Sequence, residues 1–352
     1  MTAWYEQAAR TPSATHRQRA YERQQQLTKP PGSLGVLENC AIELAALQQR
    51  DEPAVENVSI AIFAADHGVA AEGVSAFPQI VTGEMVKNFS AGGAAITVLA
   101  SELNANFQVI NVGTVNPLPE LPHVIDRRID AGTKNFCTAP AMSVEQCTQA
   151  LQIGADTIDM LCTGDAIGAA DLFIGGEMGI ANTTTAAALA CALLHIAPQD
   201  IVGRGTGVDD KGVALKARVV SAALQKHAAQ LQSPFAILQT LGGFEIAALA
   251  GAYIRCAQRG IPVLIDGFIC TAAALVALQL NDSIRPWLLF SHCSAERGHR
   301  LLIEHLDVRP LLNLDMRLGE GSGAAIAVPL LRAACALHNR MASFSSAGVS
   351  QA

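Results

Sequence analysis

Six short apolar runs recur along the chain, and each ends in glycine or a polar residue before a segment of helical character. They cover residues 58–64, 107–112, 171–174, 200–202, 262–265 and 287–290. Strands that alternate with helices in this way are typical of a parallel sheet with crossover helices. The pattern therefore predicts an α/β fold. In open parallel sheets, ligands bind where the carboxyl ends of the strands meet.

The residues that follow these runs are therefore candidates for the walls of one pocket. They include Asp66-His67-Gly68, Gly175-Gly176-Glu177, Asp266-Gly267 and Ser291-His292. Asp66 and His67 are either an acid/base pair or two side chains that bridge loops by hydrogen bonds. The sequence leaves both readings open.

Segments near the two ends of the chain read as helices without strands of their own. Residues 14–26 and 37–49 are separated by Lys29-Pro-Pro-Gly-Ser-Leu-Gly, which cannot be helical, and residues 324–341 form a third helical segment. We expect a discontinuous small helical domain from residues 1–49 plus 306–352. The parallel-sheet domain then spans residues 50–305.

The composition limits the possible partners. Of 352 residues, 50% are hydrophobic and 16% charged, and the formal net charge is −7. So apolar a chain predicts an oligomer, and the scattered basic residues argue against a nucleic-acid partner or an anionic membrane surface. Nine cysteines without a Cys-x-x-Cys pair and a polar N-terminus favour the cytoplasm.

One apolar run, residues 261–280, is long enough to raise the question of a membrane span. Its only charged residue is Asp266, followed by Gly267. A β-branched segment precedes this pair and an alanine-rich segment follows it. The run therefore fits a buried strand, turn and helix better than a spanning helix.

Two glycine-rich loops could bind an anion. Residues 175–184 lie between a predicted strand and a predicted helix, where Asn182 or Thr183 could cap the helix and backbone N–H groups could face a phosphate. Residues 203–211 form a second loop that ends in Lys211, a cation that could close on the phosphate. A tight turn and an ordinary solvated lysine are the alternatives.

A carboxylate lies between two glycines at Gly319-Glu320-Gly321. Such a residue is either a general base or an acid on an exposed turn, and its neighbours in space decide between them. His292, Glu296 and His299 have a spacing that could suit a metal. Their pattern is not His-Glu-x-x-His, and we expect no metal site.

Together these motifs resemble the nicotinate-nucleotide–dimethylbenzimidazole phosphoribosyltransferase family, in order from about Lys29 to Met341. The quoted segments are Lys29-Pro-Pro-Gly-Ser-Leu-Gly, Ala65-Asp-His-Gly-Val, Gly176-Glu-Met-Gly-Ile-Ala-Asn-Thr-Thr, Asp266-Gly-Phe, Ser291-His-Cys-Ser-Ala-Glu and Arg317-Leu-Gly-Glu-Gly-Ser-Gly-Ala-Ala. The resemblance implies a three-layer, Rossmann-like core, a homodimer and no cofactor. It also implies synthesis of α-ribazole 5′-phosphate, a precursor of the cobalamin lower loop, from nicotinate mononucleotide and 5,6-dimethylbenzimidazole, with release of nicotinate.

The resemblance also assigns residues to roles. Glu320 is the expected general base. The nucleotide and its phosphate would contact Glu177, Gly179, Gly205, Lys211 and Ser294, and the aromatic base would contact Phe77, Met85, Met178 and Leu318. Phe77 and Met85 stand where one branch of the family has Ser and Gln, which implies a more apolar slot.

The proposed chemistry suits a single base. The departing ring of nicotinate mononucleotide is already a pyridinium, so it leaves without needing a general acid or a metal. We expect Glu320 to be ionised at neutral pH, because the ordinary pKa of a glutamate is about 4.3 and moderate burial would raise its basicity without protonating it. A non-catalytic nucleotide-binding sensor or carrier is the alternative function.

Overall fold

The computed structural model describes residues 3–163, 170–205 and 207–350. Within them six parallel strands form one sheet in the order β3-β2-β1-β4-β5-β6. The strands are β1 Val58–Ala65, β2 Asn106–Gly113, β3 Val124–Asp126, β4 Leu172–Met178, β5 Val263–Ile265 and β6 Leu288–Phe290. This order reverses between β1 and β4, which is the ligand-binding crevice of doubly wound sheets.

The helices of the described residues surround this sheet. They are α1 Ala14–Gln26, α2 Val36–Gln48, α3 Ile80–Ser90, α4 Ala95–Glu102, α5 Val144–Thr163, α6 Asn182–Leu194, α7 Pro198–Ile201, α8 Asp210–Lys226, α9 Pro234–Leu241, α10 Phe244–Arg259, α11 Phe268–Leu280, α12 Arg297–His305, α13 Ser322–Arg340 and α14 Phe344–Ala347. Short 3-10 helices cover Trp4–Glu6, Gly68–Glu72 and Asp282–Trp287.

Five of the six predicted runs form strands, and one prediction is wrong. Residues 200–202 do not pair with the sheet, because Pro198–Ile201 forms the short helix α7 with proline in its first turn, where the fixed φ of proline favours a helix start. The remaining strand of the sheet, β3, is not among the predicted runs. It has three residues that are half-buried or exposed at the edge of the sheet, so it carries little apolar pattern.

Alternate residues of β1 face two different apolar clusters. Ile60 and Ile62 belong to a cluster that includes residues of α2 and α13, whereas Ala61 and Phe63 belong to a cluster that includes residues of α5 and α10. A strand buried on both faces reads as a continuous apolar run, as β1 does. The predicted three-layer α/β/α arrangement is therefore confirmed.

The terminal segments are helical as predicted, and α2 and α13 pack on one face of the sheet. Leu44 of α2 and Val328 of α13 share a cluster with Ile60 of β1. A buried ion pair ties the loop before α2 to that helix, with 2.7 Å between Lys29 Nζ and Glu38 Oε1. The division into residues 50–305 and residues 1–49 plus 306–352 stays a prediction.

The long apolar run divides as expected. Its first part is strand β5, Asp266 and Gly267 follow, and the rest is helix α11. Across the ranges that the structure describes, no helix combines the length and the apolar character needed to cross a membrane.

Candidate active site

A cavity of about 490 Å³ opens at the carboxyl ends of β1, β4, β5 and β6, on the crevice where the strand order reverses. Nine of the ten predicted site residues line it, and Lys211 does not. The nine are Phe77, Met85, Glu177, Met178, Gly179, Gly205, Ser294, Leu318 and Glu320. The loops after separate strands thus build one pocket, as the sequence pattern predicts.

Glu320 lies in a strained turn over this pocket. Three consecutive residues have positive φ, with 87° at Gly319, 62° at Glu320 and 78° at Gly321. A left-handed conformation at a residue other than glycine costs of order 1–3 kcal/mol and is characteristic of functional sites. The glycines on either side adopt it at no steric cost. The strain at Glu320 therefore identifies this turn as a candidate functional element.

Asp266, at the end of β5, anchors this turn. Its carboxylate accepts hydrogen bonds from the backbone N–H of Gly321 at 3.1 Å and of Ala324 at 2.9 Å. Both N–H groups are at the start of α13, where N–H groups have no partner within the helix. A negative charge is favourable at that helix end. Asp266 thus serves as the cap that the helix itself does not provide.

The turn also lies directly on β4. A Cβ atom added at Gly176 would lie 2.7 Å from the carbonyl oxygen of Glu320. No side chain fits there, so glycine at position 176 lets the two backbones touch. This contact and the Asp266 anchor fix Glu320 above the sheet.

Burial changes the acidity of Glu320. Only 8% of the residue is exposed, and burial, helped by the negative charge of Asp266, raises its pKa from 4.5 to about 7. In the described residues no side chain or backbone group donates a hydrogen bond to its carboxyl. Burial raises the pKa further than the sequence alone suggests, so the protonated form of the carboxyl is also accessible near neutral pH.

A second buried carboxyl lies beside Glu320. The side chain of Asn182 donates to Oε2 of Glu177, and the backbone N–H of Glu320 lies 3.4 Å from its Oε1. Burial, then the charges of Glu245 and Asp266, raises the pKa of Glu177 well above the ordinary value. The prediction that Asn182 or Thr183 caps helix α6 is wrong, because Ala181 precedes the helix and Asn182 instead holds Glu177.

Lys216, rather than Lys211, is the lysine that is hydrogen-bonded to both glycine loops. Lys211 is exposed in the first turn of α8. Lys216 is 1% exposed, and its Nζ donates to Thr183 Oγ1 at 2.9 Å and to the carbonyl oxygen of Gly203 at 3.3 Å. Burial lowers its pKa to about 8, although Glu296 opposes this shift.

The sequence carried a signal for Lys216 that was missed. Residues three and four positions later on the same helix, Val219 and Val220, are buried. A lysine on the apolar face of a helix is unusual unless it has partners. That spacing, rather than proximity to the glycine loop, distinguishes the buried lysine from the exposed one.

Apolar side chains surround the mouth of the cavity. Phe77 and Leu318 are 51% and 56% exposed, and Val81, Met85 and Met178 extend the apolar wall inward. Exposed apolar groups at the rim of a concave site suit a flat aromatic ligand.

His292, Glu296 and His299, whose spacing could suit a metal, have separate partners in the structure. His299 accepts a hydrogen bond from the backbone N–H of Ser294 at 2.8 Å, and its other ring nitrogen contacts Thr271. Burial, and then His292, lowers the pKa of His299 to about 3. Across residues 3–163, 170–205 and 207–350, no group of three or more His, Cys, Asp or Glu is placed to hold a metal ion.

Asp66 and His67 bridge structural elements. Asp66 accepts a hydrogen bond from Thr82 at 2.6 Å. The ring of His67 lies 2.7 Å from Glu245 Oε1 and 2.9 Å from Thr185 Oγ1. Both side chains are buried away from the cavity. Of the two sequence readings, the structure supports hydrogen-bonded bridging.

The chain is similar to known proteins over nearly its whole length. A family model described as Phosphoribosyltransferase (DBI_PRT) matches residues 9–349. Proteins named nicotinate-nucleotide–dimethylbenzimidazole phosphoribosyltransferase are 58% identical in Xanthomonas euvesicatoria, covering 99% of both chains, and 55% identical in Pseudomonas aeruginosa, covering 99% of this chain and 98% of the other. The crystal structure of CobT from Thermus thermophilus superposes with a TM-score of 0.91 at 44% identity, over 96% of this chain and 100% of that one.

Replacing Glu320 by glutamine should stabilise the protein at alkaline pH by about 1–3 kcal/mol, since one unit of pKa shift corresponds to about 1.4 kcal/mol. Below about pH 4.5 the carboxyl is protonated in the folded and unfolded states, so it carries no penalty. The penalty grows as the pH rises and is complete above the folded pKa of about 7. Urea unfolding at about pH 4.5 and pH 8 should therefore show an advantage of Glu320→Gln only at the higher pH. An equal difference at both would contradict the raised pKa.

Proposed function

Since the chain belongs to the nicotinate-nucleotide–dimethylbenzimidazole phosphoribosyltransferase family, we propose that Glu320 is the general base of its reaction. The enzyme transfers the phosphoribosyl group of nicotinate mononucleotide to 5,6-dimethylbenzimidazole. The products are α-ribazole 5′-phosphate and nicotinate. The observation that carries the proposal is the position of Glu320, which is buried in the wall of the cavity and has a pKa of about 7.

The electron and proton balance requires one base. The C1′–N bond of the pyridinium breaks with both electrons going to nitrogen, so nicotinate leaves with a neutral ring nitrogen. One nitrogen of the benzimidazole forms the new bond to C1′. Positive charge then develops on the benzimidazole ring, and the ionised form of Glu320 takes the proton from the other ring nitrogen. The proton later passes to solvent.

We assign the nucleotide phosphate to the space between the two glycine loops. Gly179 and Gly205 line the cavity there, and Ser294 faces them from the loop after β6. Lys216 Nζ lies 2.9 Å from where a Cβ of Gly205 would be, so its charge is within reach of an anion held by this loop. Lys216 therefore takes the role that the sequence pattern assigned to Lys211. Glu177, with a raised pKa, can donate a hydrogen bond to a ribose hydroxyl.

We assign the acceptor base to the apolar wall formed by Phe77, Met85, Met178 and Leu318. In this slot a methylated benzimidazole buries more apolar surface than adenine does, and it leaves fewer ring nitrogens without a partner. The homodimer and the cytoplasmic location stay predictions. A sensor or carrier has no need of a strained, buried Glu320, so this residue argues against the alternative function.

Glu320→Gln should lower kcat by about 10²–10⁴-fold, the usual contribution of a general base. The dissociation constant for nicotinate mononucleotide, measured by calorimetry, should stay within about threefold, because the phosphate is held elsewhere. In the wild type, kcat/KM should rise with pH through about 7 as Glu320 ionises. Glu102→Gln, an exposed control on α4, should leave all three quantities unchanged. Unaltered product formation by Glu320→Gln would refute the base assignment.

Lys211 and Lys216, both on α8, provide a matched pair. Lys216→Met keeps the apolar stem and removes the charge, and it should raise KM for nicotinate mononucleotide by about 10–100-fold, the usual effect of a lost charged hydrogen bond. Lys211→Met should change that KM by less than about threefold, since Lys211 is exposed, whereas Lys216 is buried and hydrogen-bonded to both glycine loops. If steady-state assays showed a larger rise in KM for Lys211→Met than for Lys216→Met, the phosphate contact would be assigned to Lys211 instead.

The acceptor slot predicts a preference that chromatography can measure. With equal concentrations of 5,6-dimethylbenzimidazole and adenine, the wild type should incorporate the benzimidazole at least about tenfold faster, because apolar contacts and unpaired ring nitrogens both discriminate. The double variant Phe77→Ser and Met85→Gln should narrow this ratio. Equal incorporation by the wild type would contradict the apolar character assigned to the slot.

A further inference from the structure

Thr82 joins two walls of the cavity through one buried hydroxyl. This hydroxyl donates to Asp66 Oδ1 at 2.6 Å, and the same oxygen accepts the backbone N–H of Ile180 at 3.1 Å. The other carboxylate oxygen of Asp66 accepts the N–H of Val115 at 2.7 Å. Asp66, Thr82 and Ile180 are 1%, 0% and 3% exposed. The hydrogen bonds that link Asp66, Thr82 and Ile180 are therefore buried.

The two ends of this hydrogen-bonded chain belong to parts of the site with different tasks. Thr82 lies on α3 between Val81 and Met85, which line the slot assigned to the acceptor base. Ile180 follows Gly179 and precedes Asn182 in the loop assigned to the nucleotide. One hydroxyl thus sets the distance between the acceptor wall and the nucleotide loop.

The nucleotide loop needs this support. Ala181 next to Ile180 has a φ of 77°, which is costly for a residue with a side chain. A buried backbone N–H without an acceptor costs about as much as the loop strain, and Thr82 is the acceptor for Ile180. On the other side of the loop, a Cβ at Gly179 would lie 2.4 Å from the carbonyl oxygen of Ala65. The loop is pressed against the end of β1 and held there by Thr82.

We propose that Thr82 and Asp66 are positioning residues that fix the nucleotide loop relative to the acceptor helix α3. This inference rests on the proposed function. Neither side chain lines the cavity, so they act through Ile180 and α3 rather than on the substrates. Bimolecular transfer between two bound rings depends on their separation, and a displacement of about 1 Å can cost a factor of about 100 in rate.

The test compares three variants of α3 in the full-length protein. Thr82→Val preserves the shape and removes the hydroxyl, Thr82→Ser restores the hydroxyl, and Val86→Ala weakens the packing of the same helix without touching the hydrogen bonds. Val86 lies one turn after Thr82 on α3 and is fully buried in an apolar cluster, where it makes none of these hydrogen bonds. Steady-state kinetics and calorimetric binding of nicotinate mononucleotide are measured for each folded variant.

Thr82→Val should raise both KM and the dissociation constant for nicotinate mononucleotide by about tenfold, the effect of one unpaired buried N–H. Thr82→Ser should restore both to within about threefold, and Val86→Ala should leave both at the wild-type value while lowering the melting temperature. A merely structural Thr82 would lower the melting temperature without changing KM. That result would overturn the proposal. So would a rise in KM that is as large in Thr82→Ser, or in Val86→Ala, as in Thr82→Val.

If Thr82→Val does not fold, Asp66→Asn tests the same series of hydrogen bonds at Asp66. The amide of Asn can accept from only one of Thr82 and Val115, so the same rise in KM is expected, and an unchanged KM would overturn the proposal. Product formation by the wild type is measured first. A wild type that binds nicotinate mononucleotide and forms no product contradicts the proposed function, whereas the binding measurements still decide the role of Thr82.

Discussion

The site depends on the removal of one carboxyl group from water. Glu320 gains its basicity because the turn that carries it lies on β4 and is tied to Asp266. If the turn moved into solvent, its pKa would return to the ordinary value and the driving force for taking a proton from an azole would fall. The contact at Gly176 and the cap by Asp266 therefore determine the chemistry as well as the shape.

The same arrangement places three buried carboxyl groups close together. Asp266 raises the pKa of Glu320 and contributes to the raised pKa of Glu177. Asp266 itself accepts hydrogen bonds from two backbone N–H groups at the start of α13. Three carboxyl groups of the same kind thus have different surroundings: Asp266 holds backbone N–H groups, whereas burial raises the pKa of Glu177 and of Glu320. The site is costly in stability, as functional sites commonly are.

Much of this architecture could be predicted from the sequence, because the apolar runs of β1, β4 and β5 are buried on both faces and end in polar residues. The edge strand β3 could not, since its few residues carry no burial pattern. The strand predicted at residues 200–202 is wrong because a short apolar run beside a glycine is also compatible with a short helix. Lys211 was favoured by its position next to a glycine loop. The buried lysine, Lys216, becomes visible only when the helix is placed and its apolar face is known.

The pKa of Glu320 is also beyond a reading of the sequence, which gives the residue type but not its solvation. Carbon-13 NMR of protein labelled at the glutamate side-chain carboxyl carbon, with the Glu320 signal assigned by its absence from Glu320→Gln, would measure that pKa directly. A titration midpoint of about 7 is expected for Glu320 in the free enzyme. A midpoint near the ordinary value of 4.5 would show a solvated carboxylate and would contradict it.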